Sequence, residues 1–256
     1  MDDNNIERVH PLATNILITG SNGFIGRNLL SHLPSAYPGA KISCLVRSPQ
    51  SEMPGVTSVE VNYADSENLS RCQAIQDADL IFLAADASAG RLLKSQLKFH
   101  YSGDLPVYST SSIYAMDDRS NSDLNGVMFA DAPWIIGPQS WIQHLPVLFE
   151  QHWPEQRRLG RLHAMGYDAY YLVGSLFAAR GGFMDEVDGA TGKLYVDKDG
   201  RVHRRMAWAQ FQRGMPVSLP DAEPIGGPFQ DMSEDGEQLP PDATDAESWY
   251  ESPRDE

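Results

Sequence analysis

Residues 15–30 read NILITGSNGFIGRNLL. The first five have the length and continuous apolar character of a strand buried on both faces. Glycines follow at 20, 23 and 26, and an amphipathic helix is expected from about Phe24 to Leu33. Glycine at those positions serves three needs: a tight turn, close approach of the backbone to a pyrophosphate, and close packing of helix on strand. The N-terminus of the helix then offers free N–H groups and the positive end of its dipole to a phosphate. With a strand before and a helix after, the spacing predicts a Rossmann-like βα unit. Gly20, Gly23 and Gly26 are its candidate dinucleotide-binding residues. The other reading is a βα unit of the same shape that holds no ligand.

Further strands are expected at KISCLV (41–46), VTSVEVNY (56–63), DLIFLAA (79–85) and LPVYST (105–110). Between them, SENLSRCQAIQ (66–76) reads as a helix with Asp65 or Ser66 as N-cap, and GRLLKSQLKFHY (90–101) as another. LNGVMFAD (124–131) is a strand, and residues 140–153 and 159–179 are amphipathic helices. GKLYVDKDGRVHRRMAWAQF (192–211) reads as two strands around the turn Asp197-Lys198-Asp199-Gly200. This alternation implies an α/β fold with a mainly parallel, Rossmann-like sheet and helices on both faces. The late hairpin is expected as an antiparallel addition at one edge. The domain reading is a flexible arm at 1–14, a dinucleotide-binding-type segment at 15–76, a second segment at 77–220 and a disordered acidic tail at 221–256.

The tail holds twelve Asp/Glu and one Arg, so of the formal charge of -15 only -4 belongs to the other 220 residues. A near-neutral body argues against a broad nucleic-acid surface, which needs clustered Lys and Arg. Cys44 and Cys72 form neither a metal spacing nor a disulfide framework, and read as small buried thiols. The seven His residues show no metal-ligand spacing, and the chain has no nucleophile elbow and no P-loop. No run approaches the ~18 apolar residues of a membrane span. The start MDDNNIERVH lacks a positive and then apolar leader, so the chain as written reads as cytoplasmic.

ITGSNGFIG (18–26) resembles the short-chain dehydrogenase/reductase superfamily, especially its extended and NmrA-like branches. In that family the residue ending the second strand selects the cofactor. SCLVRS places Arg47 there, 21 residues after Gly26, so the resemblance implies NADP. Asp65, in NYADSENL, resembles the acid that lies near the adenine. The family's chemistry requires a Tyr with Lys four residues on. Tyr63, Tyr101, Tyr108, Tyr114, Tyr167, Tyr170, Tyr171, Tyr195 and Tyr250 all lack it. STSSIY offers Ser111 and Ser112 as hydroxyls, but without the pair they read as loop residues capping backbone groups. No catalytic residue is assigned.

From about Asp77 to Pro220 the chain resembles the C-terminal domain of the LppC/LpoA family. The resemblance rests on DADLIFLAADASAGRLLKSQLKFHYSGDLPVYSTSSIY, DLNGVMFADAPWII, LGRLHAMGYDAYYLV and DGATGKLYVDKDGRVHRRMAWAQFQRGMPV. It implies a type I periplasmic-binding-protein-like fold. It also implies an outer-membrane lipoprotein that activates a class A penicillin-binding protein by contact, without a cofactor or metal. Arg201, Arg204, Arg205 and Trp208 are the residue types that anchor interfaces, or else the charged guards of a solvated strand edge. The family's signal peptide, lipidated Cys and N-terminal portion are not seen in the sequence. Three readings follow: a regulator of peptidoglycan synthesis, an NADP-binding reductase-like protein without its catalytic pair, or a chimera without function.

Overall fold

The computed structural model describes residues 14–48, 53–63, 65–100, 105–116, 120–137, 141–179 and 184–220. The expected arm, apart from Thr14, and the expected acidic tail lie outside the described residues.

Six parallel strands come first: β1 (Asn15–Thr19), β2 (Lys41–Val46), β3 (Val56–Glu60), β4 (Leu80–Leu83), β5 (Val107–Ser109) and β6 (Val127–Asp131). Their spatial order is 3-2-1-4-5-6, so the direction of winding reverses between β1 and β4. Open α/β sheets bind ligands at such a switch point. Leu17 and Ile18 are fully buried, one on each face of the sheet. Burying each such side chain contributes about 1.5–3 kcal/mol.

On one face Ile16, Ile18, Ile42, Cys44 and Val46 meet Leu29, Leu30 and Leu33 of α1 (Phe24–Ala36). On the other, Leu17, Leu45, Ile81 and Leu83 pack with Leu69 of α2 (Ser66–Ser70), Ile75 of α3 (Gln73–Gln76) and Leu97 of α4 (Ala87–His100). Helices thus cover both faces of this half, as expected. The single helix expected over residues 66–76 is broken in two. Cys72 is extended (φ -75°, ψ 104°), and the Gln76 side chain donates to the Ser70 carbonyl freed at the break. Ser and Cys are poor helix formers, so the interruption is cheap.

Beyond β6 the chain forms α5 (Pro133–Ile136), α6 (His144–His152) and α7 (Gly160–Ala179), then a second sheet of β7 (Met184–Asp188), β8 (Lys193–Val196) and β9 (Val202–Arg205). It returns as β10 (Ala207–Gln212) and β11 (Met215–Ser218), both antiparallel in the first sheet. The hairpin of β8 and β9 closes on Asp197–Gly200 as expected. Asp197 Oδ1 accepts from the backbone N–H groups of Asp199 and Arg201. It is not the edge addition, however. That role falls to β10 and β11, while β8 and β9 join β7. The switch occurs at Met206. A Cβ on Gly192 would sit 2.3 Å from the Arg205 carbonyl oxygen, so glycine there lets the crossing strand approach.

Candidate functional site

The glycine turn forms at the C-terminal end of β1. Gly20 has φ +71°, and a Cβ on it would lie 2.1 Å from the Ala84 carbonyl oxygen. A Cβ on Gly26 would lie 2.4 Å from the Gly20 carbonyl oxygen. Turn and helix packing therefore both demand glycine. The Gly23 N–H donates to the Gly20 carbonyl at 3.0 Å. No side chain caps α1, and its first turn has no acid. The Ser21 hydroxyl hydrogen-bonds the Cys44 thiol, pinning the turn to β2, while burial pushes that thiol up to about 11. Both cysteines are free and buried.

Arg47 is exposed just past β2. It lines an open cavity of about 850 Å³ with Glu60, Asn62, Tyr63, Asn68, Leu92 and Gln96. The Tyr63 hydroxyl donates to the Leu45 carbonyl at 3.2 Å. Burial raises its pKa to about 12 against the opposing charge of Arg47, so it stays a neutral phenol. The three glycines and Asp65 are not among the residues lining this cavity. Asp65 instead caps α2, accepting from the N–H groups of Glu67 and Asn68 at 3.0 and 3.1 Å. The N-cap expectation is met.

Tyr37 has the spacing that the other tyrosines lack, with Lys41 four residues on. Tyr37 caps the C-terminus of α1, and Lys41 opens β2 and pairs with Asp77 at 3.8 Å. The pair thus lies at the strand ends opposite the glycine turn. Ser111 and Ser112 sit in a single 3-10 turn, Ser111–Ile113.

A second constellation joins β6 to α7, and no local sequence signal marks it. Arg161, in the first turn of α7, reaches Asp131 at the end of β6. Its Nε donates to Oδ1 at 2.9 Å and its Nη2 to Oδ2 at 2.7 Å. Nη2 also donates to the Ser111 and Tyr114 carbonyls at 2.8 and 2.9 Å. Asp131 is 1% exposed. Seven residues further along α7, buried Asp168 accepts from the Ala190 and Thr191 N–H groups and from the Thr191 hydroxyl at 2.6–2.7 Å. Next to the clamp lies a crevice of about 220 Å³, lined by Tyr114, Trp134, Phe149, Trp153, Arg157 and His163 among others.

The expected cluster of Arg201, Arg204, Arg205 and Trp208 is divided between the two sheets. Arg205 makes a double contact to Glu186 at 2.9 and 3.0 Å on β7. Trp208 packs edge-on against Tyr108 in the first sheet, 5.9 Å between centroids. His203 hydrogen-bonds Asp197 at 2.7 Å and stacks on Tyr195. That hydrogen bond holds the Asp197 carboxyl below its ordinary pKa. Among the described residues no group of three or more His, Cys, Asp or Glu is placed to hold a metal. No described helix is long and apolar enough to cross a membrane.

Residues 56–214 match the family described as "LppC putative lipoprotein". The chain belongs to the LppC family. The match opens at Val56, earlier than the boundary expected near Asp77, so β3, α2 and α3 lie inside it. The penicillin-binding protein activator LpoA of Photobacterium profundum is 32% identical over 166 residues, covering 63% of this chain and 25% of the relative. LpoA of Vibrio cholerae is 29% identical over 165 residues, 61% of this chain and 27% of the relative. The chain thus spans about a quarter of the length of these curated relatives.

The fold is similar to the LpoA C-domain of Haemophilus influenzae, described as a regulator of PBP1A, at TM-score 0.56 and 21% identity. That match covers 80% of this chain and 61% of that one. A "putative branched-chain amino acid ABC transporter" of Rhodospirillum rubrum matches at TM-score 0.59 and 19% identity, over 81% and 61%. These neighbours show a periplasmic-binding-protein-like fold for the LppC chain. The matches give no support to the dehydrogenase resemblance expected for the start of the chain.

Proposed function

We propose that the chain is a non-enzymatic regulator of peptidoglycan synthesis that acts on a class A penicillin-binding protein by direct contact. The observation that carries this reading is the LppC match over residues 56–214, together with relatives named penicillin-binding protein activators. The reading requires this chain, or a longer protein containing it, to reach the periplasmic face where such a synthase works. It requires no cofactor and no metal. The test is stimulation of polymerisation and cross-linking by a purified class A synthase on lipid-linked precursor, with and without the chain. A several-fold increase with saturable binding supports the proposal. Unchanged synthesis with no binding rejects it.

A second reading is favoured by one observation, the 3-2-1-4 strand order with a glycine turn at its switch point. Gly20, Gly23, Gly26 and the uncapped end of α1 fit a pyrophosphate, and Arg47 fits a 2′-phosphate. Glu60 in the same cavity opposes a 2′-phosphate. Such a ligand, NADP, would serve here as a bound nucleotide, since among the described residues no Tyr–Lys pair lies beside the glycine turn. Calorimetric titration with NADPH, and NADH as control, tests it. Binding at about -8 kcal/mol or better with NADPH preferred, lost in Arg47→Ala, supports it. Absence of saturation makes the turn purely structural.

A further inference from the structure

We infer that α7 is the contact helix of a homodimer, packing its outer face against the same face of a second copy of this chain. α7 buries one side and leaves an apolar stripe exposed on the opposite side. Its inner side carries Gly160, Ala164, Asp168 and Leu172, all buried and spaced by four. Its outer side carries Leu162, Gly166, Ala169, Tyr170, Val173 and Phe177, all exposed, at the 4-3-1-3-4 spacing that keeps side chains on one stripe. Exposure reaches 56% at Leu162, 85% at Tyr170, 56% at Val173 and 83% at Phe177. From Leu162 to Ala179 the only charged side chain is Asp168, and it is buried. A long exposed apolar stripe on a helix marks a contact surface.

Area supports a protein occupant of this size. Those side chains with the neighbouring Met165 expose on the order of 600 Å², taking roughly 150–250 Å² for a whole aromatic residue. Leu159 and Trp153, the latter joined to the start of α7 through the Phe149–His163 stack, are 42% and 49% exposed. They raise the patch to roughly the 800 Å² per partner of a specific interface. Monomers rarely leave a continuous apolar patch that large.

Two features select a second copy. The stripe carries no exposed Asp, Glu, Lys or Arg, so two copies bring no like charges face to face there. At its centre stand Gly166 and Ala169, and a Cβ on Gly166 would meet nothing within 4 Å. Identical helices crossing at that point can approach closely while Leu162, Tyr170, Val173 and Phe177 interleave on either side. This is the self-complementary surface of a two-fold contact. The inference does not depend on the proposed synthase contact.

The experiment is sedimentation equilibrium of the full chain up to about 50 μM, where a micromolar dimer is populated. A mass near twice the 28.4 kDa of one chain is expected. Val173→Asp and Tyr170→Asp, both on the exposed stripe, are expected to weaken the dimer by at least about 30-fold while leaving the circular dichroism unchanged. Ala169→Cys provides a readout that does not depend on weakening the fold, because native Cys44 and Cys72 are buried. Mild oxidation at low micromolar concentration is expected to link two copies through Ala169→Cys and not through Ser31→Cys on exposed α1. A wild-type chain that stays monomeric at about 50 μM overturns the proposal, as does a dimer indifferent to Val173→Asp or equal linking at both cysteine positions.

Discussion

α1 follows the N-cap Gly23 and α7 begins at Gly160, and both lie against a sheet, yet they end their burial differently. α1 turns Gly26 and Leu30 inward and shows Arg27, Asn28, Ser31 and His32 to solvent. Only Phe24 and Ile25, at its open end, break that pattern. α7 turns Ala164 and Leu172 inward and shows Tyr170, Val173 and Phe177. In the first region, then, the apolar surface is matched by helices from the same chain on both faces of the sheet. In the second, one sheet of three strands meets one side of α7, and the other side is covered by no described element. Amphipathic pattern measures how much of its environment a protein carries with it.

The sharpest way to break this comparison is to cut what ties α7 to the first sheet. Arg161→Ala leaves the carboxylate of Asp131, 1% exposed, without its cation. Removing one partner of such a pair costs about 3–5 kcal/mol. Thermal unfolding should show α7 and β7–β9 melting before β1–β6, and a single unshifted transition would contradict the clamp's role. Next in size are two glycines in helices. Gly26→Ala drives a methyl into the Gly20 carbonyl, with an expected loss of about 2 kcal/mol or more in denaturant melts. Gly174→Ala meets nothing within 4 Å, and should stabilise by up to about 1 kcal/mol. Equal effects at both would erase the distinction between a glycine required by packing and one tolerated in open space.

The smallest effect concerns the start of β1. The Asp79 carboxylate accepts from the Thr14 hydroxyl and from the N–H groups of Thr14 and Asn15. The Thr14 hydroxyl contributes most to lowering its pKa. A lowered carboxylate pKa stabilises the folded state above the unfolded value of 3.8, and that gain fades as pH falls through the lower folded value. Protection of the Asn15 amide, its exchange rate relative to an unstructured peptide at the same pH, should therefore fall below about pH 3.8 and in Asp79→Asn at neutral pH. Protection independent of both would show the contact to be idle.

Much of the first region was legible because its signals are local. NILIT announces a doubly buried strand by its apolar run, Gly20 and Gly26 announce a turn that excludes side chains, and Asp65 announces a cap. What the second region conceals is long-range. Asp131 and Arg161 are 30 residues apart, and nothing in either neighbourhood reveals that one holds the other. Alternation in residues 192–211 gives the strands, yet it cannot tell which sheet each joins, so the sequence alone sets Trp208 and Arg205 on one ribbon. At residues 66–76 the helical period survives the break at Cys72, because buried positions 69, 72 and 75 keep their spacing on either side. Tyr37 and Lys41 show the reverse failure, a catalytic-looking interval placed at the wrong end of the strands.

The pairing of Ala207 with Asp131 carries a topological consequence. Everything from Ala132 to Met206 departs from one residue and re-enters directly opposite it, in neighbouring strands of the same sheet. The segment is a parenthesis in the chain, with its two brackets touching. Deleting it would in principle leave β6 and β10 able to close as a simple hairpin. Conversely, any rotation of the parenthesis would load that short rung together with the Arg161 contacts to Asp131, Ser111 and Tyr114, because these bridge the same two parts of the chain.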